Sequence, residues 1–546
     1  MTGWMQHLVI APILVPLVAA ALMLFFERRQ RFARLSINLL ACLANLAIAI
    51  ALLRIADGWQ GGMPVIYRLG DWPAPVAIVL VLDRLSAMML LIAAIVALSS
   101  LVFSLARWHR AGTHFHPMFQ LCVMGLNGAF LTGDLFNLFV FFEVMLAASY
   151  GLVMHGSGVV RVKAGLHYIA VNLVSSLLFL IGVAVIYGVA GTLNMADLAA
   201  RLPHLAAETR PLFHAGAAIL GIAFLIKAGI WPLNFWLPTA YTAASPPVSA
   251  LFAVMSKVGI YVLLRLWLMY FSEAAPGSAF GGHWLMVGGM ATLFFAMMKV
   301  LASQDTARLA AYSVLVSSGT LLAGIGINDV WVTGGALYYM ASSTLTLAAF
   351  FLLIELAERG RDVGADIFAV TFEAFGDPDD EDPEDDDPGI PIPATLATLA
   401  LSFLACMLML AGLPPLAGFI AKFAMLDGVM TQVAQGTGLY RGLLWSFFVL
   451  VIVSGFFTLI AGARAGIRLF WGPVERSVPK ISIREMVPVG ALVLVGIALT
   501  VSAGPVMRYM TDTARDLHGP SPYIDAVMES AVVVPMGDGE TDGEAR

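Results

Sequence analysis

The sequence predicts an all-α membrane protein of about fourteen transmembrane helices, arranged as two inverted five-helix repeats that each contain a broken helix, and three observations lead there. Of the 546 residues, 60% are hydrophobic and only 12% charged, where soluble domains carry about 25% charged residues. Apolar runs near the ~20 residues needed to cross the hydrocarbon core recur along the whole chain. Two of those runs are interrupted by proline and glycine at corresponding places.

The spans fall near 8–26, 35–53, 76–106, 117–133, 134–154, 166–190, 212–243, 246–272, 284–302, 308–327, 330–356, 391–430, 441–470 and 486–504. The first is longer than a signal-peptide core, and no small-residue cleavage site precedes Glu27, Arg28 and Arg29, so it is expected to be retained. The fourth and fifth abut at Gly133 and Asp134. The eighth follows Pro246, the twelfth follows Ile390, and the fourteenth leads into a polar tail from Arg508 to Arg546. Four segments follow: an N-terminal three-helix segment over 1–106, a first repeat over 117–272, a second over 284–470, and a last helix with its tail over 486–546.

Lysine and arginine collect in cytoplasmic loops. Sixteen follow odd-numbered spans, among them Arg28, Arg107, Arg161, Arg308, Arg359 and Arg484, whereas even-numbered spans are followed by five: Arg54, Arg68, Arg201, Arg210 and Arg441. That asymmetry predicts a bacterial inner-membrane protein with both termini outside. It also puts a run with nine acidic residues between Asp377 and Asp387 in the cytoplasm. This loop, about 373–389, is expected to be disordered, because its charge and prolines leave too little apolar surface to fold. Without the run the net charge of −6 becomes slightly positive.

No cofactor or metal is expected. Cys42, Cys122 and Cys406 are scattered through apolar runs, and His109, His114 and His116 lack a ligand pattern. Nothing in the composition points to nucleic acid.

The interruptions carry more chemistry. In span seven Lys227 precedes Pro232 and Pro238, and in span twelve Pro414 and Pro415 precede Lys422. Proline removes a backbone donor and clashes with the preceding turn, so both helices should open inside the bilayer, where irregular backbone must face protein or water. Each is the fourth of five spans, and a five-helix repeat inverts on recurring. Paired broken helices of this kind point to an ion site.

Charge within the membrane is costly and needs a reason. Glu143 lies nine residues after Asp134, about 13 Å into its helix, and Lys257 lies eleven after Pro246, at similar depth. With Lys227 and Lys422 they form a mid-membrane row suited to proton relay. Burial weakens a lysine's hold on its proton and a nearby carboxylate strengthens it, so changing the separation of Glu143 and Lys227 would load and unload a proton. Other charges have simpler readings. Lys299 and Arg265 are expected to snorkel, Asp83 and Arg84 to pair locally, and His167 to be either a packing residue or an accessory relay member.

The runs GDLFNLFVFFE (Gly133 to Glu143), FLIKAGIWPLNFWLP (Phe224 to Pro238), SKVGIY (Ser256 to Tyr261) and LPPLAGFIAKF (Leu413 to Phe423) resemble the antiporter-like subunits shared by Mrp-type cation/proton antiporters and respiratory complex I. The likeness runs from about residue 80 to 470 and is greatest to the D-type subunits of Mrp and Pha antiporters. The acidic loop before Ile390 resembles the Pha form, which is linked to potassium. The resemblance implies that Glu143 and Lys227 form an ion pair, that Lys257 connects, and that Lys422 ends the second half-channel. It also implies partner subunits, with protons and K+ or Na+ as cargo and lipid as surroundings. One departure stands out: where the family commonly has histidine and lysine in span eleven, this chain reads Ser342, Ser343, Thr344, Leu345, Thr346. Hydroxyls that both donate and accept would then hold a water wire. The competing reading is a proton-pumping membrane subunit of a quinone reductase or hydrogenase. The expectation of a polar tail, without a long lateral helix, favours the antiporter, a transporter subunit and not an enzyme.

Overall fold

The computed structural model describes residues 6–26, 30–58, 62–72, 74, 78–110, 114–156, 158–271, 281–359, 394–471 and 481–529. The acidic run Asp377 to Asp387 lies outside them. Nineteen α-helices, three single-turn 3-10 helices and one two-stranded hairpin make up the regular structure of these residues. In order they are α1 (Ala11–Phe25), α2 (Arg31–Gly58), β1 (Val65–Arg68), β2 (Val79–Leu82), α3 (Arg84–Ser104), α4 (Phe115–Leu131), α5 (Leu135–Val153), α6 (Val159–Ala190) and α7 (Met195–Arg201). Then come α8 (Arg210–Ala228), α9 (Trp236–Ala243), α10 (Pro246–Phe271), α11 (Gly282–Ala302), α12 (Thr306–Ile327) and α13 (Val330–Glu358). The last six are α14 (Ala394–Ala411), α15 (Ala417–Gln435), α16 (Gly438–Phe470), α17 (Ile483–Val501), α18 (Ala503–His518) and α19 (Ser521–Glu529).

Among the described residues, twelve helices are long and apolar enough to cross a membrane. The first expected span corresponds to α1, of 15 residues, and the fourth to α4, of 17. Helix starts are set by side-chain caps. Asp83 and Ser86 form a capping box on α3, and Asp134, Asp305 and Asp329 cap α5, α12 and α13 by accepting from backbone N–H groups. Each satisfies donors that a helix otherwise leaves orphaned. The cap at Asp83 also corrects the expected third span, which does not begin at 76. The preceding Val79–Leu82 pairs antiparallel with Val65–Arg68, with Val65 opposite Leu82.

Helices α10, α12 and α13 are buried on nearly every side, whereas α2, α6 and α16 turn one face outward. A helix that is apolar all round belongs in the interior, and these three form the centre of the bundle. Two faces are defined by contacts at the helix ends. On the hairpin face, Arg84 binds Asp57 at 3.3 Å and Asp516 at 2.8 Å. On the opposite face, Arg107 and Arg359 both pair with Glu355, and Arg359 reaches Glu485 at 2.6 Å.

Two expectations are corrected here. Residues after the last span fold: α18 is strongly amphipathic, buries Met510, Thr513, Ala514 and Leu517, and lies across α13 with α3 and α10 beside it, while α19 buries Tyr523 and Val527 against α7 and β1. The apolar side chains interleaved with its charges leave it little alternative to docking. Asp83 and Arg84 do not pair with each other, because successive residues leave a helix start in different directions. Asp83 binds Arg265 at 2.8 Å.

Candidate functional site

Both broken helices stop in the same way. Helix α8 ends at Gly229, φ 80°, and α14 at Gly412, φ 77°. After each glycine the next residue donates back across the turn, Ile230 to the Leu225 carbonyl at 3.0 Å and Leu413 to the Leu408 carbonyl at 3.1 Å. This is a left-handed glycine terminator with its six-to-one bond, a conformation that a side chain disfavours. The chain resumes as α9 at Trp236 and as α15 at Ala417. Pro232, Pro414 and Pro415 lie in the gaps. Pro238 does not; it sits in the first turn of α9, where proline is tolerated.

At the second break the C-terminal end of a half-helix faces an ammonium. Lys227 is in the last turn of α8. Lys422 comes from beyond the break and reaches back, donating to the Leu410 carbonyl at 3.3 Å and the Ala411 carbonyl at 3.0 Å. Orphan carbonyls and the negative pole of the helix both favour a cation there. The two lysines thus stand on opposite sides of their breaks, Lys227 in the helix that ends and Lys422 in the helix that resumes.

Lys227, Lys257 and Lys422 are 7%, 0% and 6% exposed. The Lys227 amine lies over the Phe142 ring, 4.9 Å from its centroid. The residue after that phenylalanine, Glu143, is half-buried and accepts from the Ser176 hydroxyl. No N···O contact within 4.0 Å joins Glu143 to Lys227. The structure therefore holds the expected pair in a separated arrangement. A cavity of about 20 Å³, bordered by Phe142, Lys227, Tyr241 and Ser256, lies between Lys227 and the helix that carries Lys257, which is room for a water molecule.

Lys257 donates to the Ser317 hydroxyl of α12 at 2.8 Å, and Ser317 lies 2.9 Å from the Ser343 hydroxyl of α13. Span eleven is therefore tied to Lys257 through one of its four expected hydroxyls. Ser342, Thr344 and Thr346 instead donate to carbonyls of their own helix, those of Tyr339, Met340 and Ser342. One turn from Ser343, the Tyr339 ring is 5.9 Å from the Lys422 amine. The lysine itself borders a cavity of about 600 Å³ between α15 and α16, lined mainly by apolar side chains with Asp427 among them.

Two readings of single residues change. His167 is exposed on α6, while the adjacent Tyr168 is the one turned inward to Ser149, at 2.6 Å; the helix turns them about 100° apart. Arg265 does not snorkel: it is buried and bound to Asp83, because α3 supplies a carboxylate at its level. Lys299 is exposed, over Phe295. Ser176, Ser317 and Tyr339 were not anticipated. Ser317 and Ser318 side by side in the apolar run of α12 were the available signal.

A family model described as the NADH:quinone oxidoreductase/Mrp antiporter transmembrane region matches residues 132–371. The chain is 55% identical over 534 residues to the probable K(+)/H(+) antiporter D-type subunit of Rhizobium meliloti, covering 97% of this chain and 99% of that one. It is 32% identical over 532 residues to the Na(+)/H(+) antiporter D-type subunit of Alkalihalophilus pseudofirmus, covering 96% and 100%. A chain in the structure of the Mrp complex from Dietzia superposes with a TM-score of 0.81 at 26% identity, over 97% of this chain and all of that one.

Proposed function

The chain belongs to the transmembrane family shared by NADH:quinone oxidoreductases and Mrp antiporters, within it to the D-type antiporter subunits, and on that premise we propose that it carries protons in a multisubunit monovalent cation/proton antiporter. The observation that carries the reading is the buried row from Glu143 and Lys227 through Lys257, Ser317 and Ser343 toward Lys422. Groups of this kind at mid-depth have no role in lipid packing and are costly unless used. The 55% relative and the acidic loop favour potassium as the exchanged ion.

The row works as a relay. With Glu143 close, Lys227 holds a proton; with Glu143 drawn away to Ser176, it releases one toward the cavity beside Ser256 and on to Lys257. From Lys257 the Ser317 and Ser343 hydroxyls, each donor and acceptor, lead to the neighbourhood of Lys422. The gaps after Gly229 and Gly412 let each lysine's surroundings shift without unfolding a helix. Counting α1 and α4 as spans gives fourteen crossings, and the matching glycine terminators support two inverted repeats over 117–272 and 284–470. The arginines gathered on the face opposite the hairpin, Arg107, Arg161, Arg308 and Arg359, support a cytoplasmic position for that face. Both termini would then lie outside.

Expression of the complete set of subunits in an antiporter-deficient strain tests the function. Growth at inhibitory K+ or Na+ should be restored by the native chain and not by Lys227→Ala or Lys257→Ala in an equally assembled complex. Rescue by those variants at the native level would exclude the relay.

A further inference from the structure

The relay leaves one buried ionic system unused. On α10, Lys257, Tyr261 and Arg265 follow at intervals of four, so they line one face of the helix. Arg265 is two turns nearer the hairpin face than Lys257, about 12 Å along the axis. Its guanidinium donates to the Asp83 carboxylate at 2.8 Å and to the Tyr261 hydroxyl at 3.0 Å. It also lies 5.1 Å from the centroid of the Tyr261 ring and 5.3 Å from that of Tyr523, which α19 contributes. Tyr261 in turn donates to the Phe130 carbonyl at 2.5 Å. Asp83 is further held by the Ser86 backbone N–H at 2.9 Å. Burial alone would raise the Asp83 carboxyl, but the charge and hydrogen bond of Arg265, with the bonds from Ser86, hold it below the usual carboxylate range.

Access to the system comes from one side. A cavity of about 40 Å³, bordered by Asp83, Arg84, Arg265, Asp516 and Tyr523, lies under α18 and α19, which is room for a few waters. Asp516 and Asp57, which flank Arg84, have side chains 46% and 58% exposed, whereas the Arg265 side chain is 4% exposed. Water thus reaches the hairpin side of Arg265, while Lys257 beyond it is fully enclosed. A guanidinium does not give up its proton at any physiological pH, and a fixed arginine in a narrow path is a barrier to protons and cations. The Tyr261 proton is committed to a carbonyl, so no donor here points back at Lys257.

We propose that Arg265, clamped between Asp83, Tyr261 and Tyr523, is an insulating residue that closes the hairpin side of Lys257 to protons and monovalent cations, so that a proton on Lys257 leaves only sideways through Ser317. The inference rests on the reading of Lys257 as a relay group, and its test separates the two. The complete complex is reconstituted in vesicles enclosing a pH-sensitive dye. A pH step is applied with choline as the only external monovalent cation, and K+ or Na+ is added afterwards.

Arg265→Gln should raise the cation-independent proton leak about five-fold or more, as expected when a fixed charge barrier is lost. Asp83→Asn, which keeps a good N-cap for α3, frees the guanidinium without removing it and should raise the leak less. Adding Lys257→Ala to Arg265→Gln should suppress the leak if the path opened runs through Lys257. A native leak in assembled Arg265→Gln overturns the proposal. If that variant does not assemble, a native leak in Asp83→Asn overturns it. A leak that survives loss of Lys257 also overturns it. Failure of the relay reading would show separately, as cation-driven exchange retained in Lys257→Ala.

Discussion

The Lys257 amine and the Ser317 hydroxyl are 2.8 Å apart, where α10 packs against α12. Ser317 continues to Ser343 at 2.9 Å, so one hydroxyl joins α10 to α13. If it carries the proton, Ser317→Ala should lower exchange about ten-fold, since a hydrogen bond to a charged group is worth about 1.5–3 kcal/mol. Ser317→Thr should keep most of the activity. Rates in assembled complexes at matched protein levels check this, and equal rates for alanine and serine would rule out the connection.

Glu143 and Lys227 are expected to exchange between contact and separation. At an effective dielectric of about 20, unit charges 4 Å apart interact by about 4 kcal/mol, enough to move a proton on or off a lysine. Glu143→Ala should stop exchange, and Glu143→Asp should shift its pH optimum while leaving assembly unchanged. Ser176→Ala removes the partner that holds Glu143 away and should move the optimum as well. Native rate and optimum in Glu143→Ala would leave the pair with a structural role only.

How far these residues could be read from sequence divides along a physical line. Position along a helix was legible: helix rise is fixed, so the distances from Asp134 and Pro246 give how far along their helices Glu143 and Lys257 lie, and glycine with proline marks both breaks. Facing was not. Arg265 meets Asp83 across 182 residues and Arg84 meets Asp516 across 432, and no local spacing says which helices will adjoin. The same limit hid Ser317, whose role depends on α12 lying against Lys257. In α13, sequence identified four hydroxyls, but only packing decides that Ser343 is the one that meets the Ser317 hydroxyl, while Ser342 and Thr344 bond only their own helix and Thr346 adds a contact to the Met409 sulfur. The tail misled for another reason: α18 mixes charge with an apolar stripe, and its mean polarity hid the stripe.

Gly412 tests the terminator that serves Lys422. Its φ of 77° disfavours any side chain, and a Cβ there would stand 2.7 Å from the lysine Cδ and 3.1 Å from its Nζ. Gly412→Ala should therefore displace the ammonium from the Leu410 and Ala411 carbonyls and cost about 1–3 kcal/mol in backbone strain. Exchange should fall several-fold more than assembly does. Gly490→Ala, where nothing lies within 4 Å, is the control and should leave both unchanged.

The docking of α18 should depend on pH through His518. Its Nε2 is 3.0 Å from the Thr333 hydroxyl, and burial pushes its pKa down to about 4 from 6.5, against the opposite pull of Asp329. The docked state therefore binds fewer protons than the undocked one between those values. Its stability is complete above pH 6.5 and is lost as pH falls toward about 4. In that window each pH unit should multiply the undocked fraction by up to about ten. Asp329 also caps α13 and accepts from Gln432 at 2.9 Å, and its negative charge near His518 opposes the effect without reversing it. Hydrogen exchange of residues 503–529 in the assembled complex, followed from pH 7.5 to 5, should show protection falling with acid. His518→Gln, which keeps a donor and acceptor but does not titrate, should flatten the dependence. A profile equally steep in that variant would assign the effect to another group.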